Sequence, residues 1–79
     1  MPSPARTAEY QAFLHCLRAA RKRARLTQSE VALRLKKPQS YVSKCESGER
    51  RIDAVEVVAF ADLYGVSIEE LVRGPLHEQ

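Results

Sequence analysis

Apolar residues recur along this chain at helical spacing, in bursts separated by short polar connections. Tyr10, Phe13, Leu14 and Leu17 stand at positions i, i+3, i+4 and i+7, which predicts a first helix over about 8–23 with Thr7 as its N-cap. Further on, Thr27-Gln28-Ser29-Glu30, Asp53-Ala54-Val55-Glu56 and Ser67-Ile68-Glu69-Glu70 each place a capping side chain three residues ahead of a glutamate. In such a box the first side chain accepts from the backbone N–H of the glutamate, and the carboxylate reaches back to the N–H of the cap. Gly65, after Tyr64, suits the left-handed position that ends a helix. These signals predict further helices over about 28–35, 38–46, 54–64 and 68–73, with no strand alternation between them. Short helices on short connections bury their faces against one another, so the expected fold is an all-α, five-helix bundle. Its expected core is Phe13, Leu14, Leu17, Leu26, Val31, Ala32, Leu35, Val42, Cys45, Val57, Val58, Phe60, Ala61, Leu63, Val66, Ile68 and Leu71. Residues 1–6, with Pro2 and Pro4, read as a flexible arm, 7–73 as the folded domain, and 74–79 as a frayed tail.

The second and third helices form the most informative stretch. They are joined by Lys36-Lys37-Pro38, and the third presents Gln39-Ser40-Tyr41-Val42-Ser43-Lys44-Cys45-Glu46, rich in small polar and amide side chains. Two short helices on a tight turn, the second carrying such groups, have the form of a helix-turn-helix that reads base edges.

Charge sharpens that picture. The net charge of +3 conceals a division: residues 1–51 hold twelve Lys/Arg against four acids, and residues 52–79 hold one against six. A basic segment beside an acidic one is the electrostatic footprint of a phosphate-backbone binder. Two cysteines among 79 residues are too few for a disulfide-stapled scaffold. Cys45 reads as a small core hydrophobe, and Cys16 as packing with some prospect of thiol exposure. The start carries no apolar stretch suited to a signal peptide, so a reducing cytoplasm is the expected location. No His/Cys cluster has metal spacing and no nucleophile–base pair is evident, so neither a metal, nor a cofactor, nor catalysis is expected.

Specific pieces of the chain resemble the Cro/C1-type (xenobiotic-response-element) helix-turn-helix family of bacterial and phage transcription regulators. They are Leu17-Arg18-Ala19-Ala20-Arg21, Leu26-Thr27-Gln28-Ser29-Glu30-Val31-Ala32, Gln39 to Arg51, and Tyr64-Gly65-Val66-Ser67, spanning about 17–71. The resemblance implies a lambda-repressor-like DNA-binding domain. Two positions depart from it. Most members have glycine where Lys36 stands and a Ser or Thr cap where Pro38 stands. Lys36 must then take a left-handed backbone at a cost of about 1 kcal/mol, and Pro38 is expected in the first turn of the helix.

By the same resemblance, Gln39, Ser40, Ser43 and Lys44 face the major groove. A Gln amide pairs with adenine N6/N7, and Lys reaches guanine O6/N7. Backbone contacts are implied for Gln28, Tyr41, Ser47, Arg50, Arg51 and Lys37, with Lys36 and Arg25 as weaker candidates. Gln28 also braces the recognition helix. Tyr41 lies along the groove wall with its hydroxyl near a phosphate, or else packs against the second helix. Arg50 and Arg51 have solvated loop charges as their alternative. Arg21 and Glu46 are implied to form a structural ion pair. The expected function is sequence-specific double-stranded DNA binding by a homodimeric regulator, in all expectation a repressor, on an inverted-repeat operator. With no room for a sensing domain in 79 residues, it would respond to its own concentration. The alternative is an antitoxin-like module that binds a small protein partner such as a toxin.

Overall fold

The computed structural model describes residues 7–74. Five helices follow one another: α1 (Ala8–Arg23), α2 (Gln28–Leu35), α3 (Gln39–Ser47), α4 (Ala54–Tyr64) and α5 (Ile68–Arg73). The expected arm over residues 1–6 and the tail after Gly74 lie outside the described residues. Gly74 itself is buried, and its N–H donates to Glu70 O at 2.8 Å.

Local chemistry accounts for the boundaries. Thr7 Oγ1 accepts from Tyr10 N at 3.1 Å and opens α1. Full capping boxes form at Thr27/Glu30 and at Asp53/Glu56. At Ser67 only half of the box forms, with Ser67 Oγ accepting from Glu70 N at 3.0 Å. The third helix begins one residue later than its expected start. Pro38, at φ −65° and ψ 154°, is its extended N-cap, not part of its first turn, and the helix runs on through Ser47 to Gly48. Ring closure fixes only φ, which the extended and helical basins share, so the turn was free to choose ψ.

Lys36 adopts the left-handed backbone, at φ 60° and ψ 45°. Lys37 N donates to Ala32 O at 2.9 Å and Lys36 N to Leu33 O at 3.2 Å, the paired bonds that close a helix end. Arg25 (φ 62°) ends α1 by the same pairing, with Leu26 N on Arg21 O and Arg25 N on Lys22 O. Two non-glycine residues thus carry left-handed strain in this domain.

The core is formed by Phe13, Leu14, Leu17 and Ala20 of α1, Val31 and Ala32 of α2, Val42 and Cys45 of α3, Phe60, Ala61 and Tyr64 of α4, Leu71 of α5, and Ile52 from the α3–α4 loop. Leu26, Leu35, Val57, Leu63 and Val66 pack partly buried against it. Val58 and Ile68, expected inside, are 41% and 48% exposed. Helix α4 is apolar nearly all round, so composition could not select its inner face. Val57, Phe60, Ala61 and Tyr64 (i, i+3, i+4, i+7) form that face, and Val58 turns outward.

Candidate nucleic-acid interface

Helix α3 owes its orientation to a buried carboxylate. Glu46 is 2% exposed. Its Oε2 accepts from Arg21 Nε at 2.6 Å, and its Oε1 from Arg21 Nη2 at 3.2 Å and Gln28 Nε2 at 3.0 Å. Arg21 Nη1 donates to Leu26 O at 2.8 Å, and Arg18 Nη1 to Glu46 O at 2.7 Å. One acid therefore ties α3 to α1 and α2 at once. Gln28, for which a phosphate contact was expected, has its amide turned inward onto Glu46. Arg18 had no expected role. It lies three residues before Arg21 on the same face of α1, and that spacing was the available signal.

With Val42, Cys45 and Glu46 turned inward, the opposite face of α3 is open. At about 100° per residue, Gln39, Ser40, Ser43, Lys44 and Ser47 fall within an arc of roughly 140°. All five are exposed. Gln39 Oε1 accepts from Ser29 Oγ at 2.9 Å. Ser47 Oγ donates to Lys44 O at 3.2 Å and accepts from Glu49 N at 3.3 Å, so it caps the end of α3. Pro38 supplies no side-chain cap at the other end.

Beyond this face, Glu56 of α4 gathers two further candidates, Arg50 and Tyr41. Arg50 Nη1 donates to Glu56 Oε1 and Arg50 Nη2 pairs with Oε2, both at 2.9 Å. The Tyr41 hydroxyl donates to Glu56 Oε2 at 2.9 Å. Glu56 also serves the α4 capping box, accepting from Asp53 N at 2.9 Å. The Arg50 guanidinium above all holds the Glu56 carboxyl down at about 2. Burial, then the bond to Glu56, pushes the Tyr41 hydroxyl well above its ordinary value. The Tyr41 ring stacks on Phe60 with centroids 6.4 Å apart, and Lys37 Nζ and the Arg50 guanidinium lie 5.1 and 4.9 Å from its centre. Tyr41 is thus anchored to α4, where packing on α2 or a hydroxyl free for a phosphate had been expected. Arg50 is paired with Glu56 while its side chain stays 42% exposed, and Arg51 is exposed with its guanidinium 5.4 Å from the Tyr10 ring centre. Sequence reasoning missed Glu56 in this role because its capping position already explained it.

Cys45 is fully buried and Cys16 partly so, both as free thiols. Burial pushes the Cys45 thiol up, as for an inert core sulfur. Among the described residues no group of three or more His, Cys, Asp or Glu is placed to hold a metal ion, and no helix is long and apolar enough to cross a membrane.

Two helices on a tight turn, with the second locked from behind and polar in front, agree with the comparison to known families. A family model described as a helix-turn-helix domain matches residues 12–73. The chain belongs to the helix-turn-helix domain family. Neither the curated proteins nor the solved structures yielded a match. Within this helix-turn-helix domain, α2 and α3 are the pair that names the motif, and α1, α4 and α5 hold them at their angle. Membership supports DNA as a partner and points to transcription regulation as the setting.

Proposed function

We propose that this helix-turn-helix protein is a Cro/C1-type regulator that binds a specific DNA sequence as a homodimer on an inverted repeat and represses transcription there. The observation that carries the reading is the front of α3, where Gln39, Ser40, Ser43 and Lys44 are exposed together and no apolar side chain interrupts them. Their amide, hydroxyl and ammonium groups match the donor and acceptor pattern of the major groove. Arg51, Lys37, Ser47, Arg50 and Tyr41 are the side chains assigned in this reading to phosphates, contacts that set position and not sequence. Gln28 contributes from behind, as the brace between α2 and Glu46.

A nine-residue helix reads only about 4–5 base pairs. That is too little information to single out one site among about a million competing ones, and two copies on a two-fold axis double it. The exposed Ile68 and Val72 on α5 suit the contact between copies. Selection of bound DNA from a random pool tests the reading. The expected result is a pseudo-palindrome with half-site centres about 10–11 base pairs apart. Inserting about five base pairs between the half-sites, half a turn of DNA, should abolish tight binding. A protein that stays monomeric at high concentration and tolerates the insertion would defeat the dimeric repressor, and binding to a partner protein such as a toxin would then take its place.

A further inference from the structure

A groove of about 440 Å³ opens where the start of α1, the α3–α4 loop, α4 and α5 meet. That is the size of a small-molecule site. Tyr10, Phe13, Ile52, Ala54, Val57 and Val72 give it an apolar lining. Tyr10 and Phe13 meet edge to face with ring centres 5.5 Å apart, and the Tyr10 hydroxyl accepts from Ile52 N at 3.0 Å. That bond ties helix to loop across 42 residues of chain, so the groove is formed before any ligand arrives.

Two opposite charges, Glu9 and Arg51, share this lining. Neither belongs to an ion pair among the described residues. The neighbouring Arg50 is committed to Glu56, while the Arg51 guanidinium sits 5.4 Å from the Tyr10 ring centre. That cation–π contact keeps its N–H groups beside the aromatic wall. A ligand with only a carboxylate would be repelled by Glu9, and one with only an amine would be repelled by Arg51. A molecule carrying both charges on an apolar body suits every part of the lining.

We infer that this groove binds a free α-amino acid with a large apolar side chain, its carboxylate on Arg51 and its ammonium on Glu9. The carboxylate accepts two parallel bonds from the guanidinium, and the side chain lies against Tyr10, Phe13 and Val57. Arg51 is also among the phosphate contacts proposed above. On that reading, a bound amino acid withdraws it from DNA and weakens binding to every sequence; the site itself does not depend on that reading.

Titrating the full chain with phenylalanine, without DNA, and following the amide signals by NMR tests the site. Tyr10, Ile52 and Val57 should shift saturably with a dissociation constant of about 1 mM, the scale for a ligand of about a dozen non-hydrogen atoms. Hydrocinnamate and phenethylamine, which each lack one charge, should bind about fivefold or more weakly. Glu9 and Arg51 are both exposed, so their replacement spares the fold. Arg51→Ala should weaken both phenylalanine and hydrocinnamate, whereas Glu9→Gln should weaken phenylalanine alone. With phenylalanine bound, the salt slope of DNA binding should fall by about 1 per protomer, as it does in Arg51→Ala. No shift at about 10 mM phenylalanine, ten times the expected constant, would overturn the inference, as would hydrocinnamate binding equally well. Val72 is shared with the contact proposed between copies, so shifts of the same amides on dilution alone would give the groove to a second copy instead. Nuclear Overhauser contacts from residues 1–6 or 75–79 that persist at saturating phenylalanine would give it to the chain's own ends. Phenylalanine binding in a chain that binds no DNA would uphold the site and overturn only the DNA-binding reading.

Discussion

Replacing Glu46 with alanine tests the packing that aims α3. Three donor bonds end on the Glu46 carboxylate, two from Arg21 and one from Gln28. The Arg21 side chain is only 13% exposed, so its guanidinium cannot simply turn to solvent when the acid is gone. It keeps Leu26 O at 2.8 Å and otherwise holds an uncompensated charge in a poorly hydrated site. Removing one partner of such a pair costs about 3–5 kcal/mol. Domains carry about 0.05–0.15 kcal/mol of stability per residue, so for 79 residues the loss is a large share of the whole. Each kcal/mol is worth about 4–8 °C in a domain of this size, so Glu46→Ala should melt at least about 12 °C below wild type. Thermal and urea unfolding followed by far-ultraviolet circular dichroism would measure it. Replacing both partners with apolar residues, Arg21→Met with Glu46→Leu, should recover most of the loss, because no buried charge is then stranded. A Glu46→Ala protein that melts within about 3 °C of wild type would refute the reasoning, since that is under 1 kcal/mol.

Three further substitutions probe separate features. Lys36→Gly relieves a left-handed backbone at φ 60°, and should stabilise the domain by about 0.5–1 kcal/mol in urea unfolding, the relief being partly offset by the greater freedom of glycine in the unfolded chain. The Tyr64 hydroxyl is buried and meets no hydrogen-bonding partner among the described residues; Tyr64→Phe should therefore raise stability by about 1 kcal/mol, and a loss of that size would show that the hydroxyl is satisfied in solution. The Glu56 carboxyl titrates near 2 instead of its ordinary 4.5, so it adds stability that is complete above pH 4.5 and is lost as pH falls toward 2. Glu56→Gln, which keeps a side chain able to serve the capping box, should flatten the fall in melting temperature across that acid window, and an unchanged pH profile would show that the pairing with Arg50 is not maintained in solution.

Much of this molecule was legible in its sequence, because capping and periodicity act over a few residues. Thr7, Thr27, Asp53 and Gly65 mark helix ends by bonds to atoms three or four residues away, and the helices they bound are those expected. The exposed run along α3 follows from the same local period, once Val42 and Cys45 are known to be inside. What lay beyond reach depends on side chains that meet across long stretches of chain. Helix α4 is apolar on nearly every side, and only the bundle decided that Tyr64 is inside and Val58 outside. Glu56 could be read locally as a cap. Only the fold brought Tyr41, 15 residues earlier, onto the same carboxylate. Ser29 and Gln39 lie 10 residues apart on different helices, and the left-handed turn at Lys36 sets the angle that lets them touch. Helix ends are therefore matters of sequence. The direction in which a polar side chain points is a matter of tertiary structure, because its partner is chosen by proximity in space after each local preference has been met.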